Sequence, residues 1–425
     1  MKVLIKKATI IDPGSAHHLT QQDILIADGI IQNIQPALTD QTDTIIALLD
    51  LHVSPGWIDT FANFCDPGEE YKETLESGAR AAAAGGFTRV MVVPNTRPVI
   101  DNKAQVEYII QKSKSLPVEI LPIGAITKNA EGKELAEMYD MQDSGALCFS
   151  DGLNSIQSAG ILVKALQYVK RFNGVIIQLP DDKSIAPHGL MNEGIVSTRL
   201  GLPGKPALSE ELVVCRDIQL ASYTGSRLHF TAITSARSLQ YIKTAKEEGI
   251  QVTCSVTPFH LFFCDEDLAD YDTNLKVNPP LATRKEMMAL REAVEEGGID
   301  CIATHHAPHD YDSKVVEFEY AKIGMTGLET CYSILKTALP FVSEARWIEL
   351  LYLNPSAIFR LKQQNILANT PVNLTLFQPG SLFTYHEQSR HSKSKNSPFI
   401  GKELKGRVAG IIRGNHLCIN QKQAF

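Results

Sequence analysis

The sequence lacks the features that mark several large classes of protein. Its eight cysteines are scattered and form no Cys-x-x-Cys pair, so neither a disulfide framework nor a zinc knuckle is expected. Lysine and arginine form no cluster and the net charge is -7, which argues against nucleic acid or an anionic membrane surface as a partner. No apolar run is long enough to span a bilayer, and the first residues contain no long apolar signal-peptide region. These absences predict a soluble, cytoplasmic protein.

The middle of the chain alternates strand-like and helix-like stretches. The strand-like stretches are RVMVVPN, VEILPIGAI, ALCFSDG, GVIIQLP, RLHFTAI, IQVTCSVT and IDCIATHHAP. Amphipathic stretches lie between them, and several end on glycine, a common stop at the carboxyl end of a helix. This alternation predicts an α/β fold with a (β/α)₈ barrel of the TIM type over residues 53–364. The active site of such a barrel lies at the carboxyl ends of its strands.

Both ends of the chain show a different pattern. Short alternating segments such as VLIKKATII and DILIADG precede the barrel, and NLTLFQPG and GRVAGIIRGN follow it. Residues 1–52 and 365–425 are therefore predicted to form one small β-rich accessory domain from both termini. The polar stretch at 386–399 interrupts the last strands and is expected to be a surface loop.

The strongest motif lies just after Pro55-Gly56. The segment DTFANFCDPG at 59–68 resembles the first metal-binding strand of a dihydroorotase, which reads Asp-x-His-x-His-x-Arg-x-Pro-Gly. Further segments match signatures of that family in order along the chain: MNEG at 191–194, LGLPG at 200–204, KVNPPL at 276–281, ATHHAPH at 303–309, GLET at 327–330 and SKSKNSPFIG at 392–401. The resemblance implies a metal-dependent hydrolase barrel that opens a cyclic amide with a zinc-activated water, or closes carbamoyl-aspartate into dihydroorotate in pyrimidine synthesis.

That chemistry requires neutral imidazoles and a carboxylate around zinc, together with an aspartate that moves a proton. By the resemblance, the ligand positions of the family are occupied in this chain by Phe61, Asn63, Gly152, Leu179 and Ala232, and the position of the catalytic aspartate by His305. At the bridging position the register is open by one residue, so Asp151 is the alternative to Gly152. Phenylalanine, leucine and alanine cannot ligate a metal, and the amide of asparagine is a poor ligand for zinc.

The replacements fall in separate segments, so the whole metal site is expected to be missing. No catalytic residue, no metal ligand and no cofactor are expected. The apolar side chains of Phe61, Leu179 and Ala232 are instead expected to form a dry plug, stabilised by burial of apolar area. We therefore expect no dihydroorotase activity from this chain alone.

Some positions that hold substrate in the family are retained. Asn95, Asn278 and His309 match residues that bind the carboxylate and ring of dihydroorotate, whereas Cys65 and Ala282 stand in place of arginines. A structural role fits each retained residue, because asparagine beside proline caps tight turns. We favour the structural role, since a carboxylate site without arginine lacks its strong bidentate partner.

A rebuilt site is the alternative. His229, His260, His305 and His306 all lie at or near predicted strand ends and could face one mouth of the barrel. A relocated zinc or a metal-free general base is then conceivable. No His-x-His or His-x-x-x-His pair on a predicted strand or helix supports a relocated metal, so we prefer the interpretation without a working site.

Two functions follow from these alternatives. In the first, the chain is an inactive homologue that acts as a structural or regulatory partner of aspartate carbamoyltransferase, because dihydroorotases resemble subunits that assemble with that enzyme. In the second, it is an active cyclic amidohydrolase, on dihydroorotate or a related ureide, with a rebuilt site. We prefer the first, and expect a homodimer or a hetero-oligomer in either case.

Overall fold

The computed structural model describes residues 1–420. Its strands are, in chain order, β1 Lys2–Ile10, β2 Gln21–Ala27, β3 Ile30–Gln35, β4 Thr44–Ile46, β5 His52–Pro55, β6 Trp57–Ala62, β7 Phe87–Val92, β8 Glu119–Gly124, β9 Cys148–Phe149, β10 Val175–Gln178, β11 Met191–Asn192, β12 Gly204–Lys205, β13 Arg227–Phe230, β14 Val252–Val256, β15 Cys301–Ile302, β16 Thr370–Pro371, β17 Asn373–Thr384, β18 Glu403–Arg413 and β19 His416–Ile419. Its α-helices are α1 Leu75–Ala84, α2 Lys103–Ser113, α3 Met138–Asp143, α4 Ala159–Lys170, α5 Ile195–Leu200, α6 Leu208–Thr224, α7 Ala236–Glu247, α8 Pro258–Phe262, α9 Arg284–Glu296, α10 Cys331–Ala338, α11 Glu344–Ile348 and α12 Asn354–Phe359.

Eight parallel strands form the central barrel in the order β6-β7-β8-β9-β10-β13-β14-β15. The first and last strands meet where Ala62 bridges to His306 and the Asn63 amide donates to the His306 carbonyl at 2.8 Å. Asp59 joins the same two strands, because its carboxylate accepts hydrogen bonds from the amide and the hydroxyl of Thr304. The predicted (β/α)₈ barrel is thereby confirmed.

Local sequence explains why these elements begin and end where they do. Every residue of β7 is buried, as expected of a parallel strand covered on both faces. Thr74 caps α1 by accepting from the Ser77 amide, and α6 and α9 end at Gly225 and Gly297 in the left-handed conformation. The helix stops predicted from glycine are confirmed at these positions.

A second sheet is built from both ends of the chain. Its order is β16-β3-β2-β1-β5-β17-β18-β19, with β4 paired to β1. Strands β5 and β17, far apart in sequence, pair antiparallel and so join the two terminal segments. The predicted composite sheet is confirmed, while the domain boundaries at 52/53 and 364/365 remain predictions. Residues 421–425 of the predicted accessory domain lie outside the described residues.

Trp57 joins the barrel to this sheet. Its side chain is fully buried, with its ring 5.0 Å from Tyr332 and 5.4 Å from Phe377 between centroids. The indole nitrogen donates to the Ser54 hydroxyl at 3.0 Å, so its one polar atom is satisfied in the core. The two units therefore share an apolar contact.

The segment at 386–399 is a surface loop only in its first part, so that expectation was partly wrong. Residues 386–389 are exposed, whereas Ser392, Ser394, Asn396 and Ser397 are buried. Asn396 donates to the carbonyls of Ala307 and Gly324 and accepts from the His309 amide. The second half of the segment is therefore packed over the barrel beside its first and last strands.

Candidate functional site

The candidate site is the mouth formed by the carboxyl ends of the eight barrel strands. The residues that the sequence singled out lie at or just after these ends: Phe61 lies in β6 and Asn63 follows it, Asp151 and Gly152 follow β9, Leu179 follows β10, Ala232 follows β13 and His305 follows β15. In a TIM barrel this end of the strands is where catalytic groups lie. The fold therefore brings the predicted positions to one end of the barrel.

Apolar side chains occupy this end. Phe61 is 1% exposed and lies in a stacked arrangement with the imidazole of His305, at 4.3 Å between ring centroids and 20° between planes. Leu179 is 1% exposed and Ala232 is fully buried. Phe61 packs into a cluster inside the barrel with Met91, Val93, Ile123, Cys148, Ile177, Cys301 and Ala303. The position of the first family ligand is thus part of the barrel core.

His305 is a neutral, buried imidazole. Its Nε2 atom is joined to the Thr231 hydroxyl by a hydrogen bond of 2.7 Å. Burial, followed by the nearby His260 and His229, lowers the pKa of His305 to about 3. An uncharged ring therefore stands where the resemblance places the charge of an aspartate.

A chain of hydrogen bonds continues from Thr231 into the barrel. The Ser255 hydroxyl donates to the Thr231 hydroxyl at 3.1 Å, and the two ring nitrogens of His229 contact Ser255 at 3.2 Å and Thr253 at 2.8 Å. Burial lowers the pKa of His229 to about 3. Both nitrogens of His229 are already used, so this side chain is held within the core.

The other two histidines of the rebuilt-site alternative also have partners in the protein. His260 contacts the Thr257 hydroxyl at 2.8 Å and the Pro279 carbonyl at 3.0 Å, and burial lowers its pKa to about 4. His306 accepts from the Gly327 amide through Nδ1, while its Nε2 lies 3.5 Å from a Glu73 oxygen. Within residues 1–420, no group of three or more His, Cys, Asp or Glu side chains is arranged to hold a metal ion.

Asp151 and Gly152 differ sharply in what surrounds them. The buried Asp151 carboxylate accepts from the amides of Ile126 and Thr127 and from the Thr127 hydroxyl, and burial raises its pKa. Gly152 has a φ of +61°, and a Cβ atom there would lie 1.8 Å from the Asn95 side-chain oxygen. A side chain at 152 would therefore displace Asn95, whereas the carboxylate of Asp151 caps the turn after β8.

Asn63 and Cys65 lie in the turn after β6. The Asn63 side-chain oxygen accepts from the Cys65 amide at 2.9 Å, which satisfies the turn locally. Cys65 has a φ of +58° and is buried, and burial raises the pKa of its thiol to about 12. Neither side chain offers a charged group to a substrate carboxylate. Phe61, Leu179 and Ala232 have no side-chain atom that can ligate a metal. The side chains at the mouth therefore do not fit the zinc ion that the resemblance implies.

The three retained substrate positions all bond to the protein itself. Asn95 donates to the Asp151 carbonyl and accepts from the Leu153 amide, and Asn278 accepts from Lys205 at 3.1 Å. His309 contacts the Ile323 carbonyl at 2.9 Å, and burial lowers its pKa to about 4. These contacts are of the kind that the structural role requires, and that role stays a prediction.

A small polar cavity remains beside the mouth. Its volume is about 30 Å³, and its lining includes Asp181, Lys205, Asn278 and Glu210. Lys205 and Asp181 form an ion pair of 2.7 Å across it. Binding sites for small molecules usually enclose about 300 Å³ or more. This cavity has room for a water molecule and is too small for a pyrimidine ring.

One buried group was missed by the sequence analysis. Glu73 is fully buried and accepts from the hydroxyls of Ser77 and Ser392 and from the Lys393 amide at 3.0 Å. Burial raises the pKa of Glu73, but the nearby His306 imidazole and the hydrogen bonds from the two serines outweigh burial and place this pKa below its ordinary value. Glu73 ties the late segment to the barrel. The pair Thr74 and Ser77, three residues apart, predicts the start of the helix next to Glu73. It contains no signal for Ser392, the distant partner of Glu73.

Comparisons with known proteins agree with the sequence motifs. A family model described as dihydro-orotase-like matches residues 51–238. The chain is 37% identical to a dihydroorotase of Syntrophus aciditrophicus, across 96% of this chain and 97% of that protein. It is 40% identical to a dihydroorotase of Carboxydothermus hydrogenoformans, across 96% and 95% of the two chains. The similarity thus runs along nearly the whole length.

Solved structures support the fold. The chain superposes on the L-hydantoinase (dihydropyrimidinase) of Arthrobacter aurescens with a TM-score of 0.85 and 20% identity, over 100% of this chain and 97% of that one. A D-hydantoinase structure gives a TM-score of 0.83 at 18% identity, over 100% of this chain and 96% of that one.

Within residues 1–420, no helix is both long and apolar enough to cross a membrane.

Proposed function

This chain belongs to the dihydroorotase family of cyclic amide hydrolases, and from that premise we propose that it is a catalytically inactive member. We further propose that it acts in pyrimidine biosynthesis as a structural or regulatory partner of aspartate carbamoyltransferase. The observation that carries the first proposal is the stack of Phe61 on His305, because it fills the catalytic end of the barrel with a buried aromatic contact.

The chemistry of the side chains supports inactivity. Cyclic amide hydrolysis needs a polarised carbonyl, an activated water and a proton carrier within reach of the leaving nitrogen. Phe61, Leu179 and Ala232 supply none of these, and all three side chains are buried at the catalytic end of the barrel. Substrate has neither a polarising group nor space among these residues.

The purified protein is expected to show no turnover of dihydroorotate above buffer, with or without added zinc. The loss of dihydroorotate is followed in the ultraviolet, and an active dihydroorotase is run in parallel as the positive control. Turnover that follows the bound zinc content would overturn the proposal of inactivity.

An active enzyme with a rebuilt site is the second candidate. The observation in its favour is the 2.7 Å hydrogen bond between the Thr231 hydroxyl and His305, because a hydroxyl beside an imidazole is the arrangement of a nucleophile and its base. In that case His305→Ala would abolish turnover, while substitution of the distant His416, which is exposed, would leave it unchanged.

The partner proposal rests on the retained frame. Identity of 37–40% extends along the whole chain although the positions around the catalytic end differ from the family motif. A retained frame without the ligand residues of the family is expected of a subunit whose task is assembly. We expect the chain to form a complex with the aspartate carbamoyltransferase of the same organism when the two are co-expressed, measured by co-elution and by a mass equal to a defined ratio of subunits. Two separate peaks at high concentration would contradict it.

A further inference from the structure

A larger cavity lies at the end of the barrel opposite to the mouth. Its volume is about 300 Å³, and its lining includes the first residues of three barrel strands, Val175 of β10, Arg227 of β13 and Val252 of β14. Asp300, which directly precedes β15, lines it as well. Because the barrel strands are parallel, these amino ends meet at one end, whereas the catalytic groups of a TIM barrel lie at the other. This basal cavity is therefore separate from the candidate site, and it is just large enough for a small ligand.

The guanidinium of Arg227 is only partly satisfied by the protein. Its Nη2 atom donates to the carbonyls of Ala357 and Ile358, at 3.4 Å and 2.6 Å, in the last turn of α12. Its Nη1 atom is closed off from solvent and has no hydrogen-bond partner among residues 1–420. A buried donor on a charged group is costly to leave without an acceptor. The contacts with α12 explain why Arg227 lies where it does, but they do not explain the free Nη1.

The charges around the basal cavity favour an anion. Lys246 and Asp300 line it as an ion pair of 2.6 Å, so together they add no net charge. Within the part of the chain that the structure describes, no carboxylate lies within 4.0 Å of the guanidinium of Arg227 or of Arg360. Burial, followed by the nearby positive charge of Arg360, lowers the pKa of Arg227. Two neighbouring guanidinium groups without a carboxylate repel each other, and a bound anion would offset that repulsion.

We propose that the basal cavity binds a small molecule through a carboxylate or phosphate group, held by the guanidinium of Arg227 and attracted by the positive charge of Arg360. A guanidinium binds such groups through two parallel N–H···O bonds. The Nη1 atom does not reach solvent in the unliganded cavity, so binding requires the guanidinium to turn toward the ligand. The proposal does not depend on catalytic activity, because the catalytic positions of the family lie at the other end of the barrel.

Thr253 connects the basal cavity with the interior of the barrel. It lines the cavity, and its hydroxyl contacts Nδ1 of His229 at 2.8 Å. His229 is joined in turn through Ser255 and Thr231 to His305 at the mouth. A ligand in the cavity is therefore expected to change the surroundings of the His229 ring. The nitrogen resonances of this buried ring can report where an anion binds, because an anion on the outer surface does not reach it.

Calorimetric titration of the full-length protein with inorganic phosphate, and separately with succinate, tests the proposal at constant ionic strength. We expect saturable binding of at least one of these anions, at one site per chain and with a dissociation constant of about 1 mM or lower. The anion that binds more tightly assigns the chemical group of the ligand. In the wild-type chain with ¹⁵N-labelled histidine, the His229 signals are expected to shift along the same binding curve.

Substitution of the two arginines tests their roles. Arg227→Gln is expected to weaken binding by roughly tenfold or more, because it removes a charged hydrogen-bond donor. Arg360→Gln removes only an exposed nearby charge and is expected to weaken binding by about threefold. The matched control is Arg199→Gln, because Arg199 is an exposed arginine on α5, in the connection that follows the carboxyl end of β10. The control is expected to bind like the wild type, and circular dichroism checks the fold of each variant.

Three results would overturn the proposal. The first is a wild-type chain that binds neither anion at millimolar concentrations. The second is binding that Arg199→Gln weakens as much as Arg227→Gln does, since the anion would then respond to the overall charge of the protein. The third is saturable binding that leaves the His229 signals in place, because the site would then lie away from the basal cavity. This last result does not depend on whether Arg227→Gln folds.

Discussion

Replacing Phe61 by alanine is expected to lower the free energy of unfolding by about 4 kcal/mol. Phe61 is 1% exposed, stacks on His305 and packs into the cluster inside the barrel, so its removal leaves a cavity that the surrounding strands cannot close. The measurement is equilibrium denaturation followed by circular dichroism, with the midpoint and the slope fitted together. An effect of this size would show that a catalytic position has become part of the core.

The matched control is Tyr223→Ala. Tyr223 is 77% exposed on α6, and surface substitutions of this kind usually change stability by about 0.5 kcal/mol or less. If Phe61→Ala is no more destabilising than Tyr223→Ala, the Phe61 ring is not buried as described and the mouth of the barrel is open. The proposal of inactivity would then lose its main support.

The fold could be predicted from the sequence because each barrel unit carries its own signals. Three of the four residues of the strand Val175–Gln178 are apolar, and the helix that precedes the next barrel strand ends at Gly225. The composite sheet could also be predicted, because both termini share the alternating pattern. These are local properties of the chain, so they are visible without coordinates.

The interior of the site could be predicted only in part. The apolar character of Phe61, Leu179 and Ala232 follows from residue type and from where the motif places them. The hydrogen bond between Thr231 and His305 joins residues that are 74 positions apart in the sequence. The contact of Glu73 with Ser392 joins residues that are 319 positions apart. Neither segment contains a signal that identifies the other. The burial of Ser392, Ser394 and residues 396–399 was missed for the same reason, since the polar composition of this segment resembles that of an exposed loop.

Backbone conformation adds information that the sequence does not contain. Cys65, Ala232 and His305 have φ values of +58°, +57° and +46°, in the left-handed region that costs about 1 kcal/mol or more for most residues. Unfavourable conformations of this kind persist where the surrounding structure fixes them, and they are concentrated at functional sites. By the resemblance, Cys65 stands at the position of an arginine, Ala232 at that of a metal ligand and His305 at that of the catalytic aspartate. We infer that the backbone of a catalytic site is retained although its side chains are not.

If that inference holds, restoring the side chains at four of the five ligand positions, together with the aspartate, should restore zinc binding. The variant combines Phe61→His, Asn63→His, Leu179→His, Ala232→His and His305→Asp. We expect it to bind zinc with a dissociation constant below about 1 µM, which corresponds to roughly 8 kcal/mol of binding free energy. Without metal it should be less stable than the parent chain, because polar groups replace apolar groups in the core. Turnover is not expected, since Cys65 and Ala282 still stand in place of the arginines.

Zinc binding would be measured by retained metal after desalting and by thermal unfolding with and without zinc. A ligand at a hundredfold excess over its dissociation constant stabilises the folded state by about 2.7 kcal/mol, so the melting temperature of the variant should rise with zinc. The parent chain is the control and should show no such rise, because its donor set does not fit the ion. A folded variant that retains no zinc would contradict the retained backbone. A parent chain that is stabilised by zinc as strongly as the variant would contradict the loss of the metal site and favour the rebuilt site instead.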